Sequence, residues 1–310
     1  MSSHIERTMA ELATGNYTRP NPKLVNLSNL TAAETKLFAQ TWTGIEVKLR
    51  RQIIEQLVEL TEDNVELNFD SIFQYCLTDR DAVVRSKAIE GLWECEDVSL
   101  VSPLIERLNQ DISPEVQMVA VTALGNFALL AEFNKIRSRY AAMVAQALLA
   151  AVGDQTRAVA VRCRALEAVA VLSWPEVKDA IEQAYHGDNR ELRASAIYAM
   201  GRNGDPAWLP ILIPELTSAD ATMRGEAATA CGELGEEEAT PYLAQLIDDP
   251  DANVALAAIE ALGKVGGAEA KKRLQQLLAE PEETIKQAAR EALAELETTE
   301  DPFSFRMGNP

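Results

Sequence analysis

The chain predicts an all-α fold, a right-handed α-solenoid of stacked antiparallel helix pairs, and three observations predict it. First, an apolar anchor recurs at Val84, Val116, Val161, Leu192, Met223, Val254 and Ile285, with gaps of 32, 45 and then four times 31 residues. Second, an alanine stands four residues after every anchor: Ala88, Ala120, Ala165, Ala196, Ala227, Ala258 and Ala289. Third, the residue seven after each anchor is again small: Gly91, Ala123, Ala168, Ala199, Ala230, Ala261 and Ala292. Positions zero, four and seven share one face of a helix. Small residues on that face let neighbouring helices approach closely, and alanine has the highest helix propensity. One helix pair cannot bury its own apolar face, whereas a stack of pairs can.

Residues 1–30 lack helical periodicity beyond a short turn at residues 5–12. Residues 15–30 contain Pro20, Pro22 and several Asn and Ser, which predicts an extended segment, either mobile or laid along the first helices. From Thr31 helices begin, with Glu34 three residues on in capping-box spacing. Residues 44–60 are strongly amphipathic, and residues 68–77 lead into the first clear repeat. Residues 31–77 therefore read as a degenerate helical cap, because one face of a terminal repeat must meet water.

Residues 78–297 form the repeats, expected as one continuous solenoid. An Asp precedes most anchors by three to five residues (Asp79, Asp111, Asp188, Asp220, Asp249), where a helix start favours it. A Gly follows the seam (Gly125, Gly201, Gly232, Gly263), in three units with a second three residues later (Gly204, Gly235, Gly266), a pattern suited to ending the helix. Between anchor helices lies a second apolar helix, with Pro103, Pro210 and Pro241 in its early part, where a missing donor costs least. The 45-residue gap holds an insertion within residues 126–140. It is either a longer helix pair with a rearranged corner or a projecting contact element carrying Lys135, Arg137, Arg139 and Tyr140. Residues 298–310 form a polar tail with Phe303 and Phe305, either disordered or docking on a groove.

The pattern Asp-x-x-Val-Arg-x-x-Ala-x-x-Ala-Leu-Gly-x-x-Gly, carried by these anchors and by Arg85, Arg162, Arg193 and Arg224 one position later, resembles the HEAT family. It is most similar to the short bacterial phycobilin-lyase HEAT-like repeat, over residues 70–297. The resemblance implies that the anchor-bearing helices form an inner, concave face. Positions two, three, six and ten then point away from the seam. In the central units these are Met118, Thr122, Asn126, Arg164, Glu167, Tyr198 and Arg202, the candidate contact residues. The four arginines are read as a structural ladder, paired with Asp residues of adjacent units.

Composition narrows the function. The net charge is −19, which disfavours nucleic acid and anionic membranes as partners. Charge is uneven: residues 205–300 carry 20 acids and 7 bases, net −13, while residues 135–202 carry 10 bases and 7 acids, net +3. No stretch is read as approaching a membrane span and no signal peptide is visible, so the expected location is cytoplasmic. Cys76, Cys95, Cys163 and Cys231 lack paired spacing and read as reduced core thiols. Two histidines, His4 and His186, and the lack of a His-Glu dipeptide exclude a metal site like that of the deoxyhypusine hydroxylases, an enzyme class built on similar repeats. The acidic balance argues against a HEAT-like DNA glycosylase. No phosphate loop or nucleophile motif occurs, and no cofactor or catalytic residue is expected. The favoured function is a non-enzymatic scaffold binding protein partners. The alternative, implied only by the resemblance, is a bilin- or tetrapyrrole-handling protein, with Arg164, Tyr198 and Arg202 holding the propionates.

Overall fold

The computed structural model describes residues 4–14 and 18–300. All regular structure among them is helical: α1 His4–Ala13, α2 Ala32–Trp42, α3 Val47–Asp63, α4 Asp70–Cys76, α5 Ala82–Glu90, α6 Val101–Gln110, α7 Pro114–Glu132, α8 Ser138–Gly153, α9 Val159–Val169, α10 Pro175–His186, α11 Arg190–Asn203, α12 Leu209–Glu215, α13 Ala221–Leu234, α14 Thr240–Leu246, α15 Ala252–Val265, α16 Gly267–Leu277 and α17 Glu283–Glu300. From α2 onward they alternate between an outer helix and an anchor-bearing inner helix, the stacked antiparallel pairs of an α-solenoid. The helices group into two compact units that divide after Val161, in the first turn of α9.

In the first unit, α3, α5 and α7 stack as inner helices and α2, α4, α6 and α8 as outer ones. Thr31 caps α2 through the expected reciprocal box with Glu34. Aromatic rings fill the first layers: Phe38 stacks on Trp42 at 4.9 Å and meets Tyr75 edge-on at 5.9 Å, and Phe69 meets Phe73 at 6.3 Å.

The N-terminal segment differs from an extended chain. It forms the ten-residue helix α1, which buries Met9 and Leu12, and a 3₁₀ turn at Pro22–Leu27, which buries Leu24 and Leu27. The stretch between them is tied to α3: Asn21 exchanges two hydrogen bonds with the Gln56 amide, at 3.1 and 3.2 Å. Met9 and Leu12 lie at helical spacing from Ile5, so the periodicity of α1 is present in the sequence.

The insertion lengthens both helices of a pair. α7 runs 19 residues and α8 16, joined by a corner with Asn134 in the left-handed region (φ 56°). As a result α7 is long and apolar enough to cross a membrane, the one such helix among the described residues. That corrects the expectation that no stretch approaches a span. Here Val116, Ala120, Val121, Leu124, Phe127 and Ala128 are buried in the repeat stack.

In the second unit, α11, α13, α15 and α17 stack in succession. The seam alanines Ala165, Ala196, Ala227, Ala258 and Ala289 are fully buried. The glycines divide their work. Gly204, Gly235 and Gly266 have φ of 68°, 69° and 70° and end the helices, as expected of left-handed residues. Gly201, Gly232 and Gly263 lie inside the helices. A Cβ added to them would come within 2.6, 2.8 and 2.9 Å of the Cα atoms of Ala230, Ala261 and Ala292. Their role is backbone approach between inner helices, where the sequence predicted helix termination.

Candidate functional site

The frame of the inner face is a set of ionic rungs. Arg85 donates from Nε and Nη2 to Asp111 of the next repeat at 2.6 and 2.7 Å, and from Nη1 to the Asp79 carbonyl at 2.8 Å. Arg224 repeats this geometry on Asp249 at 2.7 and 2.8 Å and on the Ser218 carbonyl at 2.8 Å. Burial pushes the Asp111 carboxyl up, but the Arg85 hydrogen bonds outweigh it and the group stays below the usual carboxylate range. Arg224 lowers Asp249 in the same way.

Two expectations need correction here. Asp79, Asp111 and Asp249 do not cap the following helix. They accept rung arginines and a loop amide, while Asp81, Ser113 and Asp251 two residues later are the caps. Arg193 pairs with Glu215 at 2.5 Å instead of an Asp. Ser218 occupies the register where the rung aspartate belongs, so the guanidinium turns to Glu215 and lies over the Tyr185 ring at 5.0 Å. Arg162, the remaining member of the series, is half-buried.

The rungs also reveal a repeat that the seam did not. Arg50 on α3 donates to Asp79 at 3.2 Å, and α3 packs on α5 as one inner helix on the next. Leu49 is thus an eighth anchor. Its seam positions hold Ile53 and Gln56 instead of small residues, which is why alanine spacing missed it.

The candidate contact residues divide between the two units. On α7, Thr122 is exposed and donates its hydroxyl to the Met118 carbonyl at 3.1 Å, Met118 is half-buried, and Asn126 donates to the Trp93 carbonyl at 3.2 Å. In the second unit, Arg164 is exposed and pairs with Glu167 at 3.3 Å. Glu167 also accepts the Ser195 hydroxyl at 2.7 Å. Tyr198 is half-buried, and Arg202 is exposed with no ion pair among the described residues. Glu226 on α13, which sequence reading did not select, shares this face; burial, then the Glu167 charge, raises its carboxyl. Its register, three residues after Met223, matches Arg164 and Ser195 and was the available signal.

At the inserted corner Lys135, Arg137 and Arg139 are exposed, and Arg139 lies 4.4 Å over the ring of half-buried Tyr140. Phe303 and Phe305 lie outside the described residues. The four cysteines are unpaired; burial holds Cys95 at about 11 and Cys231 at about 12, far from thiolate chemistry at neutral pH. No group of three or more metal-ligating side chains occurs among the described residues.

The sequence profile for HEAT repeats matches residues 69–160 and 209–294, more than half of the chain. The chain belongs to the HEAT-repeat family. A second profile, the PBS lyase HEAT-like repeat, matches residues 192–218 of this HEAT-repeat chain, the segment that contains Tyr198 and Arg202. No curated protein sequence matches it significantly. Among solved structures it is similar to Escherichia coli YibA, at 17% identity over 79% of this chain and 96% of that one, with a TM-score of 0.47. It is also similar to a chain of the CpcE–CpcF complex of phycocyanin lyase from Nostoc, at 17% identity over 74% and 94%, TM-score 0.49. Human deoxyhypusine hydroxylase aligns at 17% identity over 94% and 97%, TM-score 0.32.

Proposed function

We propose that this HEAT-repeat chain is a non-enzymatic scaffold that binds protein partners through the outward side of its inner helices, centred on Arg164, Tyr198 and Arg202. The observation that carries the reading is the contrast within one helix. On α11 the seam residues Ala196 and Ala199 are fully buried against neighbours, while Arg202 on the same helix stands exposed without an ion pair among the described residues. Side chains on such a rigid helix lose little entropy on binding, and Tyr and Arg dominate interface energetics. The net-basic stretch of residues 135–202 in an acidic chain adds a charge signature.

The test is affinity capture from native lysate with the full chain and with the triple variant Arg164→Ala, Tyr198→Ala, Arg202→Ala. The expected outcome is a defined set of captured proteins that the variant loses while its helical circular dichroism is unchanged. Capture unaffected by the triple change overturns the reading. A second reading, a tetrapyrrole-handling protein, draws on the match of residues 192–218 to the PBS lyase HEAT-like repeat. Titration with biliverdin, followed by absorbance, separates the two: a spectral shift lost in the triple variant favours the tetrapyrrole.

A further inference from the structure

The first unit carries a cleft that the function proposed above does not use. Its floor is Leu100 and Leu104 at α6, its first wall is the turn from Leu92 to Glu96 after α5, and its second wall is the C-terminal end of α7, including Asn126, Leu129 and Leu130. The cleft holds about 530 Å³. The insertion enlarges it: α7 continues past the position where α11, α13 and α15 stop, and the extension adds Leu129 and Leu130 to the second wall.

Large apolar groups stand open here. Trp93 is 57% exposed and Leu129 41%. Trp93 is one of the two most exposed aromatic side chains among the described residues. The Asn126 amide, hydrogen-bonded to the Trp93 carbonyl, pins the turn to α7 and fixes the spacing of the walls. Exposed apolar surface of this kind marks contact sites, and tryptophan is the residue type most enriched among energetic anchors. The lip is acidic. Glu94 and Glu96 line the cleft and are exposed, and neither has an ion-pair partner among the described residues.

We propose that this cleft docks a segment of a partner protein in which a large apolar side chain is flanked by lysine or arginine. The apolar group covers Trp93 and Leu129, and the cation meets Glu94 and Glu96. Charge complementarity selects this occupant: two uncompensated carboxylates on a chain of net charge −19 repel an acidic segment and attract a basic one. The cleft lining and the α9–α11 contact residues share no side chain, so each proposal can fail alone.

The experiment pans a random library of short displayed peptides against the full chain, then measures one recovered sequence as a labelled synthetic peptide. Recovered sequences should place an aromatic or aliphatic residue next to Lys or Arg. The peptide should lose about tenfold or more in affinity on Trp93→Ala, on Leu129→Asp, and on the pair Glu94→Lys and Glu96→Lys. The Arg164, Tyr198 and Arg202 triple variant should bind it unchanged. Leu129 is on the surface, so helical circular dichroism should report folded variants throughout. Recovery of no sequence above background, recovery of acidic sequences, or binding that the cleft variants leave intact overturns the proposal.

Discussion

The two units set their glycines against neighbouring helices in different ways. In the second, the inner helices touch backbone to backbone: Gly201 meets Ala230, Gly232 meets Ala261 and Gly263 meets Ala292. In the first, Gly91 stands two positions earlier in its repeat and faces the outer helix α4 instead, where an added Cβ would lie 2.5 Å from the Phe73 side chain. The same residue type thus serves a close helix approach in one unit and an aromatic core in the other. A seam built on backbone contact tolerates no side-chain adjustment, whereas a seam built around a ring can be repacked by changing the ring.

Four substitutions test that contrast. The largest effect is expected at Phe73, fully buried among Phe69 and the first layers. Phe73→Ala should cost about 4 kcal/mol in denaturant melts. Combined with Gly91→Ala it should cost less than the sum of the two single changes, because the new methyl enters vacated space. Strict additivity would show that the ring does not occupy the glycine's space. Gly232→Ala should cost about 2 kcal/mol, and Ala261→Gly should fail to rescue it, since the obstructing atoms include the Ala261 Cα at 2.8 Å. Full rescue would make the second seam as adjustable as the first.

The smallest effect concerns Glu226, in the second unit only. Its folded pKa lies above the unfolded value, because burial and the Glu167 charge disfavour the carboxylate. The ionised form therefore weakens the fold at neutral pH, and that penalty disappears below the unfolded pKa of about 4.3. Glu226→Gln should raise the melting temperature at neutral pH and leave it unchanged below about pH 4. A gain of equal size at both pH values would assign the effect to packing instead of charge.

The seam, the capping box of Thr31 and the glycine stops at Gly204, Gly235 and Gly266 were all legible in the sequence, because each depends on spacing within one helix. Contacts between repeats were less so. The ladder of Arg85 and Arg224 was anticipated, but its aspartates were also read as caps, since a residue at minus five and one at minus three look alike without coordinates. The Leu49 repeat stayed hidden behind Ile53 and Gln56. Of the candidate contact residues, Asn126 turned out to hold a turn in place, and the adjacent Trp93 gave no periodic signal because it lies in that turn. Only the stacked helices show that Trp93, Leu129 and the acids at 94 and 96 face one space.

The rung at Arg193 carries a consequence for how such a chain changes length. Removing residues 205–235, one 31-residue period, would delete Glu215 and Ser218 together and place Asp249 in the vacated register. Arg193 would then face the aspartate that Arg224 holds now, and Gly201 would meet Ala261 in the way it meets Ala230. The splice would match the rung better to the common pattern and leave the glycine approach as it is today. Within α11 to α15 a whole period is thus interchangeable as far as the arginine rung and the glycine approach are concerned.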